Sequence, residues 1–500
     1  MVQGMQRLWG QWTGYNRDIK LILLTQLLFS IGMGMFMIVY NLYVRALGYE
    51  QLVVGRVVSS MAFGTALALI PAGLLSDRLS RKKLVLFGGM MTVITLFLRS
   101  VIEGVDGLVS TAFVEGMFAA LIQVSFVPLL SEYSREEERV NLFSLLFALN
   151  MGANIFGNLG GGLISDFFMR VFGISTVLSL RWTLFVSIAI IMLAIVPMMM
   201  LNEKKRHVEN EGAPLNIKGT SGEQVTSGEH MPPVEKTTSG GQGTSVEKTT
   251  SGEQIISSSR VIRSDQVLLG DQMNKQKNIV SRWGRFFDYI QANRASLRLI
   301  VLFSIAQLFI GFGAGLVIPY LNLYFADRFQ ASPSMIGFIV SLGQAATAAA
   351  MLLGPFVVRR LGEVRAIVVL QLASIPFLLL TGFTQELFLA ALGYLFRQAL
   401  MNAGTPIQMS MMMNGVNERF RGLANSMSAV NFNLGWALMG PVSMQIVQAK
   451  GAYWGYATVF MLTAALYLLG SFYFYIIFRK PNDRPAHFDQ VKHVEEKYES

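Results

Sequence analysis

Two ionisable side chains stand far inside apolar stretches of this sequence. Glu115 lies within 107–130 and Arg397 within 385–413. An ion in hydrocarbon is costly unless paired or hydrated, so such residues are candidates for chemistry. A buried carboxylate can exchange a proton. A guanidinium keeps its own and binds an anionic or polar group instead. At about 1.5 Å per helical residue, Glu115 lies about 12 Å and Arg397 about 18 Å from the outer ends of their stretches. Two readings are open. They meet, or share one water-filled cavity, as parts of a working site; or they form a static ion pair.

Other chemistry is excluded by residue type. The chain has no cysteine, which removes disulfides, thiolate metal sites and thiol catalysis. All four histidines, His207, His230, His487 and His493, lie in polar segments, so no histidine relay or metal site is expected inside the apolar stretches. No catalytic dyad, metal cluster or cofactor motif stands out, so an enzyme is set aside. There is no Walker motif, so a gradient rather than ATP must supply any drive.

The elements that hold these residues are apolar and long. The 500 residues are 52% hydrophobic and only 14% charged, against about 25% charged in ordinary soluble domains. Lipid cannot solvate ions, and about 20 apolar residues suffice to cross it. Six such stretches lie near 20–47, 52–76, 83–102, 107–130, 139–168 and 177–201, and six more near 297–326, 333–358, 363–382, 385–413, 420–449 and 453–478. The fold expected is an all-α membrane protein of twelve transmembrane helices in two six-helix bundles, 1–201 and 297–480. The first stretch is too long for a signal h-region and reads as a retained span. Between the bundles, 202–282 is polar and repetitive, with Val234-Glu235-Lys236-Thr237-Thr238-Ser239-Gly240 recurring from Val246. Such a composition buries no core and reads as a disordered linker. Residues 283–296 suit an amphipathic helix at the membrane surface, and 481–500 form a tail.

The chain also repeats itself. Asn41-Leu42-Tyr43 returns as Asn322-Leu323-Tyr324, Gly55 and Ser59 as Gly337 and Ser341, and Arg139 and Ser144 as Arg421 and Ser426. Tandem copies of a long apolar unit are a building plan of secondary transporters. The net charge of +10 is placed by topology. With the N-terminus inside, 33 Lys and Arg fall in inner segments and five in outer loops. That is a strong positive-inside bias. Both termini are expected in the cytoplasm and the chain in the plasma (inner) membrane. No nucleic acid is needed to explain the basic excess. Arg56 and Arg99, near outer span ends, are expected to snorkel to the interface; Asp166 is read the same way, as an offset to Arg170.

The loop after the second span reads Gly73-Leu74-Leu75-Ser76-Asp77-Arg78-Leu79-Ser80-Arg81-Lys82-Lys83. It resembles the signature of the major facilitator superfamily in that place, with Ser80 where a glycine is usual, and the six-plus-six layout fits the same family. Gly73 would let another helix approach closely. Asp77 near the boundary needs a cation, supplied by Arg78, Arg81 or Lys82, or the N-terminal end of span 11. The resemblance implies a latch that joins the halves on the cytoplasmic side when the cavity opens outward. Glu138-Arg139 and Glu418-Arg419-Phe420-Arg421 form a second, mirrored pair of loops. They pair across the halves, or they are ordinary helix entries with solvated charge.

The resemblance further implies that spans 1, 4, 7 and 10 surround a central cavity. Its candidate lining residues are Asn41, Tyr43, Glu115, Gln123, Gln307, Asn322, Arg397 and Asn402. Asn150, Asn154 and Asn158 share one face of span 5, which turns to water or to a neighbouring helix, and Asn154 is counted with the pathway candidates. The glycine-rich run Gly157-Asn158-Leu159-Gly160-Gly161-Gly162 is similar to a motif of proton-driven drug exporters in this superfamily; close helix packing explains it equally. The expectation is a monomeric secondary transporter moving a small-molecule substrate by alternating access, proton-coupled through a carboxylate and exporting. Nutrient uptake, or a non-transporting sensor of the same fold, are the alternatives.

Overall fold

The computed structural model describes residues 15–202, 293–417 and 420–479; the side chain of Asp77 is outside the description. The linker 202–282, residues 283–292 of the amphipathic segment, the tail 481–500, all four histidines, Glu418 and Arg419 lie beyond the described residues, apart from position 202.

The described chain is helical. The first half holds α1 (Arg17–Ala46), α2 (Gln51–Arg78), α3 (Arg81–Val101), α4 (Val105–Tyr133), α5 (Glu136–Phe172) and α6 (Thr176–Met199). The second holds α7 (Arg294–Val317), α8 (Leu321–Phe329), α9 (Pro333–Leu361), α10 (Glu363–Phe383), α11 (Leu387–Ala403), α12 (Thr405–Gly415) and α13 (Arg421–Arg479). Among the described residues, ten helices are long and apolar enough to cross a bilayer. Twelve crossings follow once two features are read. The helix α13 is two crossings joined at Gly451, whose φ of 74° and ψ of 174° leave the helical region; glycine adopts this without a Cβ clash. Span 10 is α11 followed by α12, interrupted at Gly404 with Pro406 entering the second piece. Span 7 is likewise broken, into α7, a 3-10 turn Ile318–Tyr320 at Pro319, and α8. Proline removes a backbone donor and clashes with the preceding turn, so both breaks have a local cause.

The same pairing pattern occurs in each half. Span 1 packs on spans 5 and 6, span 4 on spans 2 and 3, and span 3 on span 6; in the second half, span 7 packs on α13, span 10 on spans 8 and 9, and span 9 on α13. Two extensive pairs cross between halves, span 2 with α13 and span 5 with span 8, and span 1 touches α8 between them. These pairs exchange under the repeat, as a pseudo-two-fold relation requires. Apolar side chains face outward along the spans, among them Leu352 and Phe388, as lipid contact demands.

Helix ends define two ends of the bundle. The terminal end carries residues 17, 202, 293 and 479; the distal end carries the turns at Gly48, Gly173 and Gly451. Capping is visible at the distal end, where Ser175 Oγ accepts from Leu178 N and Ser332 Oγ from Met335 N, meeting backbone donors that a helix start leaves open.

Candidate functional site

The halves meet along a seam whose hydrogen bonds run from the distal end to about mid-depth, with apolar contact of Ala429 and Val430 against Ala68, Leu69 and Ala72 continuing it along spans 2 and 11. On the repeat axis, Asn41 Nδ2 donates to Asn322 Oδ1 at 3.1 Å and to Pro319 O at 2.7 Å, while Asn322 Nδ2 donates to Ile38 O at 2.9 Å. The repeated asparagines therefore bond to each other. Asp166 accepts from Ser334 N at 3.2 Å and from Ser334 Oγ, at the start of α9, where the helix dipole favours a negative charge. Ser341 Oγ donates to Ile155 O at 2.8 Å and Ser59 Oγ to Trp436 O at 3.3 Å. Arg45 and Asp327 add an ion pair at 3.8 Å.

Glycines permit this approach. A Cβ at Gly337 would stand 2.4 Å from Asn158 O, and one at Gly162 would stand 2.2 Å from Pro333 O. Farther along span 5 the contact is gone: a Cβ at Gly152 would meet nothing within 4 Å.

Below the seam, in the second half, lies a cavity of about 310 Å³. Its wall runs from Ile318 to Phe303 in span 7 and from Arg397 to Met412 in span 10, with Asn425, Ser428 and Phe432 from the start of α13. Most of these residues lie between mid-depth and the terminal end, with Ile318 and Arg397 at its upper edge. Arg397 sits ten residues into α11, about 15 Å from the distal end and so near mid-depth. Its residue is 2% exposed. Nη1 donates to Gln398 Oε1 at 2.8 Å and Nη2 to the Tyr467 hydroxyl at 2.6 Å. Nε meets no acceptor among the described residues. Gln307, Gln371, Asn402 and Gln408 also line the wall.

The expected meeting of Glu115 with Arg397 does not occur. Glu115 Oε2 instead takes a hydrogen bond and ion pair from Arg99 Nη1 at 2.8 Å, with side chains 1% and 3% exposed. The Arg99 guanidinium also lies 4.1 Å from the centroid of the Tyr40 ring. Arg99 is thus no snorkelling residue: a counter-ion on the adjacent helix was within reach and outweighed the route to water. Asp166 likewise leaves Arg170 aside, because a helix start and a serine face it across the seam.

Other expected lining residues divide. Gln307, Arg397 and Asn402 line the cavity. Asn41 and Asn322 sit in the closed seam. Tyr43 is buried in the first half, its hydroxyl donating to Ser100 O at 2.9 Å and accepting from Arg181. Gln123 is exposed. The asparagine face of span 5 turns to helices: Asn150 Oδ1 accepts from Gln26 and Ser30 of span 1, and Asn154 Nδ2 donates to Asn150 O. The glycine run is consumed by packing, with Gly157 against Ile31 O and Gly161 against Met35.

At the terminal end, Gly73 has no close helix neighbour; a Cβ there would meet only Val124, at 3.9 Å. Arg78 is exposed. Arg81 pairs with Glu132 at 2.9 Å, and Lys82 donates to Leu201 O at 2.6 Å. These two contacts lie within the first half, at the ends of spans 4 and 6. Arg421 Nε donates to Met413 O at 3.2 Å within the second half. Glu138 and Arg139 lie half-buried at the start of α5. Sequence reasoning missed Tyr467 and Arg99 as partners of the buried ions. One was a tyrosine in an apolar run; the other's closeness to a span end mimicked an interfacial residue.

Known proteins agree with this architecture. A crystallised bacterial homologue of the human lysosomal transporter Spinster, inward-facing and occupied, superposes with a TM-score of 0.67 at 13% identity, over 95% of this chain and 100% of its own. A variant of the nucleoside transporter NupG gives 0.63 at 15%, over 93% and 100%, and a D-xylose–proton symporter 0.59 at 15%, over 90% and 96%. These likenesses show the fold alone. An uncharacterised MFS-type transporter of Methanocaldococcus jannaschii is 22% identical over 156 residues, which span 31% of this chain and 40% of that protein. The profile of the Major Facilitator Superfamily matches residues 22–287 and 303–497, and with twelve crossings, a duplicated packing plan and a one-sided seam beside it, the chain belongs to that superfamily, a family of membrane transporters rather than enzymes.

Proposed function

We propose that the protein is a secondary active transporter that carries a small solute by alternating access, coupled to protons and working as an exporter. The observation behind this reading is the one-sided seam. The halves are joined by hydrogen bonds and glycine contacts from the distal end to mid-depth, while a cavity lies mostly between mid-depth and the terminal end in the second half. A rocking of the halves would exchange the open and closed ends. The terminal end is assigned to the cytoplasm on the excess of Lys and Arg there. The loop-2–3 latch would belong to the opposite state; Lys82 here donates to Leu201 O within the first half.

For the proton we assign Glu115. Among the described residues the buried carboxylates are Glu115 and Asp166. A proton on Glu115 neutralises it and frees Arg99, a change in charge that the halves can sense. Uptake is the second reading. The glycine run of span 5 does not separate the two, because its close contacts at Gly157, Gly161 and Gly162 are those of helix packing.

The test is solute flux in proteoliposomes under an imposed pH gradient, with a compound panel and an uncoupler. Gradient-dependent flux that the uncoupler abolishes is expected, and its direction separates export from uptake. No flux of any compound would mark a sensor and remove the reading.

A further inference from the structure

On the reading that the chain is a transporter, we propose that its cavity is a site for a small organic monocarboxylate, whose charge Arg397 holds. Two buried guanidiniums meet different fates. Arg99 is neutralised by Glu115 at 2.8 Å. Arg397 is as deeply buried, yet its hydrogen-bond partners are a tyrosine hydroxyl and an amide oxygen, both neutral. Among the described residues, no Asp or Glu lines the cavity it faces. A buried cation without a counter-charge is strongly disfavoured. An anion from solution, reaching Arg397 through the cavity, supplies that charge.

The geometry narrows the anion. Arg397 makes two hydrogen bonds, and Nε has no acceptor among the described residues. A guanidinium has five N–H groups, and its planar fork matches the two oxygens of a carboxylate. Tyr467 fixes the guanidinium from one side, and Gly313 packs against the edge of that ring, so the fork is held in place before a ligand arrives. One unpaired charge balances one negative charge, which favours a monoanion over a phosphate dianion. The amides of Gln307, Gln371, Asn402 and Gln408 offer donors and acceptors to a polar but uncharged remainder. A volume of about 310 Å³ is at the small end of small-molecule sites.

The experiment uses the full chain in a non-ionic detergent and reads thermal stability and equilibrium binding. The probes are acetate, lactate, benzoate and 4-hydroxybenzoate, each beside its amide, with sulfate as an inorganic control. In the wild type, at least one carboxylate is expected to bind about tenfold or more tightly than its amide, since charge-assisted hydrogen bonds are at stake, and to raise the melting temperature. Arg397→Gln should abolish that preference, and Arg397→Lys should restore part of it through charge without the fork. Arg397→Gln without ligand should melt no lower than the wild type, because an uncompensated charge has been removed; a merely structural arginine would make it melt lower. Equal binding of every carboxylate and its amide overturns the proposal, as does carboxylate preference that survives in Arg397→Gln. The wild-type comparison decides even where a variant fails to fold. Carboxylate binding without flux would refute the transport reading and leave the site standing; flux of neutral or cationic solutes alone would do the reverse.

Discussion

Replacing Gly162 with alanine should open the distal seam. The added Cβ would stand 2.2 Å from Pro333 O and 2.8 Å from both Pro333 C and Ser334 Cα. All three are backbone atoms at the start of α9, where Pro333 is fixed and Ser332 caps the helix, so no side chain can swing aside. Ordinary contact begins near 3.4 Å, so the seam must part by roughly 1 Å. Overpacking of this kind costs about 1–3 kcal/mol. The strain exists only where spans 5 and 8 touch, so it falls on the distal-closed state and shifts the equilibrium toward the distal-open one by about 5- to 150-fold. The chain has no cysteine, so one introduced thiol reports alone. Ser341→Cys is suitable: Ser341 is 4% exposed and bonded across the seam to Ile155 O. Its labelling by a membrane-impermeant maleimide from the distal side should accelerate about fivefold or more when Gly162→Ala is added. Gly152→Ala, on the same helix but with nothing within 4 Å of its Cβ, should leave the rate unchanged. An unchanged rate in Gly162→Ala would show that this contact does not move. Acceleration by both variants would trace the effect to helix propensity instead of a wedge.

Other outcomes follow from the same contacts. Glu115→Gln strands Arg99 in the first half and should cost about 3–5 kcal/mol of stability, while Glu115→Leu with Arg99→Met should recover most of it in thermal melts. Asn41→Ala and Asn322→Ala should each speed Ser341→Cys labelling, and the double variant should reveal a coupling of about 0.5–3 kcal/mol; strict additivity would mean the two asparagines act independently. Asp166→Asn keeps an acceptor at Ser334 but loses the charge that faces the α9 dipole, so labelling should rise about twofold to fivefold, and an unchanged rate would assign the contact no electrostatic role.

The fold was legible because lipid imposes simple rules. A helix must be long and apolar to cross, and the repeat of Asn41-Leu42-Tyr43 as Asn322-Leu323-Tyr324 revealed the duplication before any coordinate. Boundaries suffered where backbone conformation decides them. The Gly404 break inside span 10 and the Pro319 turn inside span 7 sit in apolar sequence that hydropathy reads as continuous. The site was half legible. Burial of Glu115 and Arg397 followed from their surroundings, but pairing depends on which helix faces which, and that is not local information. Arg99 lies two residues from the end of α3, where snorkelling and pairing look identical in sequence. Asn41 and Asn322 read as polar lining residues because a polar side chain in a span must face protein or water; only the packing of the halves shows that they face each other.

The repeat gives the charge asymmetry its meaning. The helices α3 (Arg81–Val101) and α10 (Glu363–Phe383) have the same length and an offset of 282 residues. That offset carries Glu115 onto Arg397 and Arg99 onto Thr381. The two halves therefore use equivalent places differently. In the first, both charges are present and cancel as long as Glu115 is ionised, so its interior is sealed at little electrostatic cost in that protonation state. In the second, the cation at the Glu115-equivalent place has no charged partner at the Arg99-equivalent one. While the cavity is wet, water solvates Arg397. In the proposed cycle, closing the terminal end would strip that water, and a bare guanidinium would oppose closure. The proposed anion at Arg397 would remove the opposition. Ligand and closure are then linked through one side chain, because a ligand shifts an equilibrium only as far as its affinity differs between the two states. A carrier in which the loaded form closes more readily than the empty one exchanges or couples its solute instead of leaking. Arg397, unpaired by design of the repeat, is the residue that would impose that order.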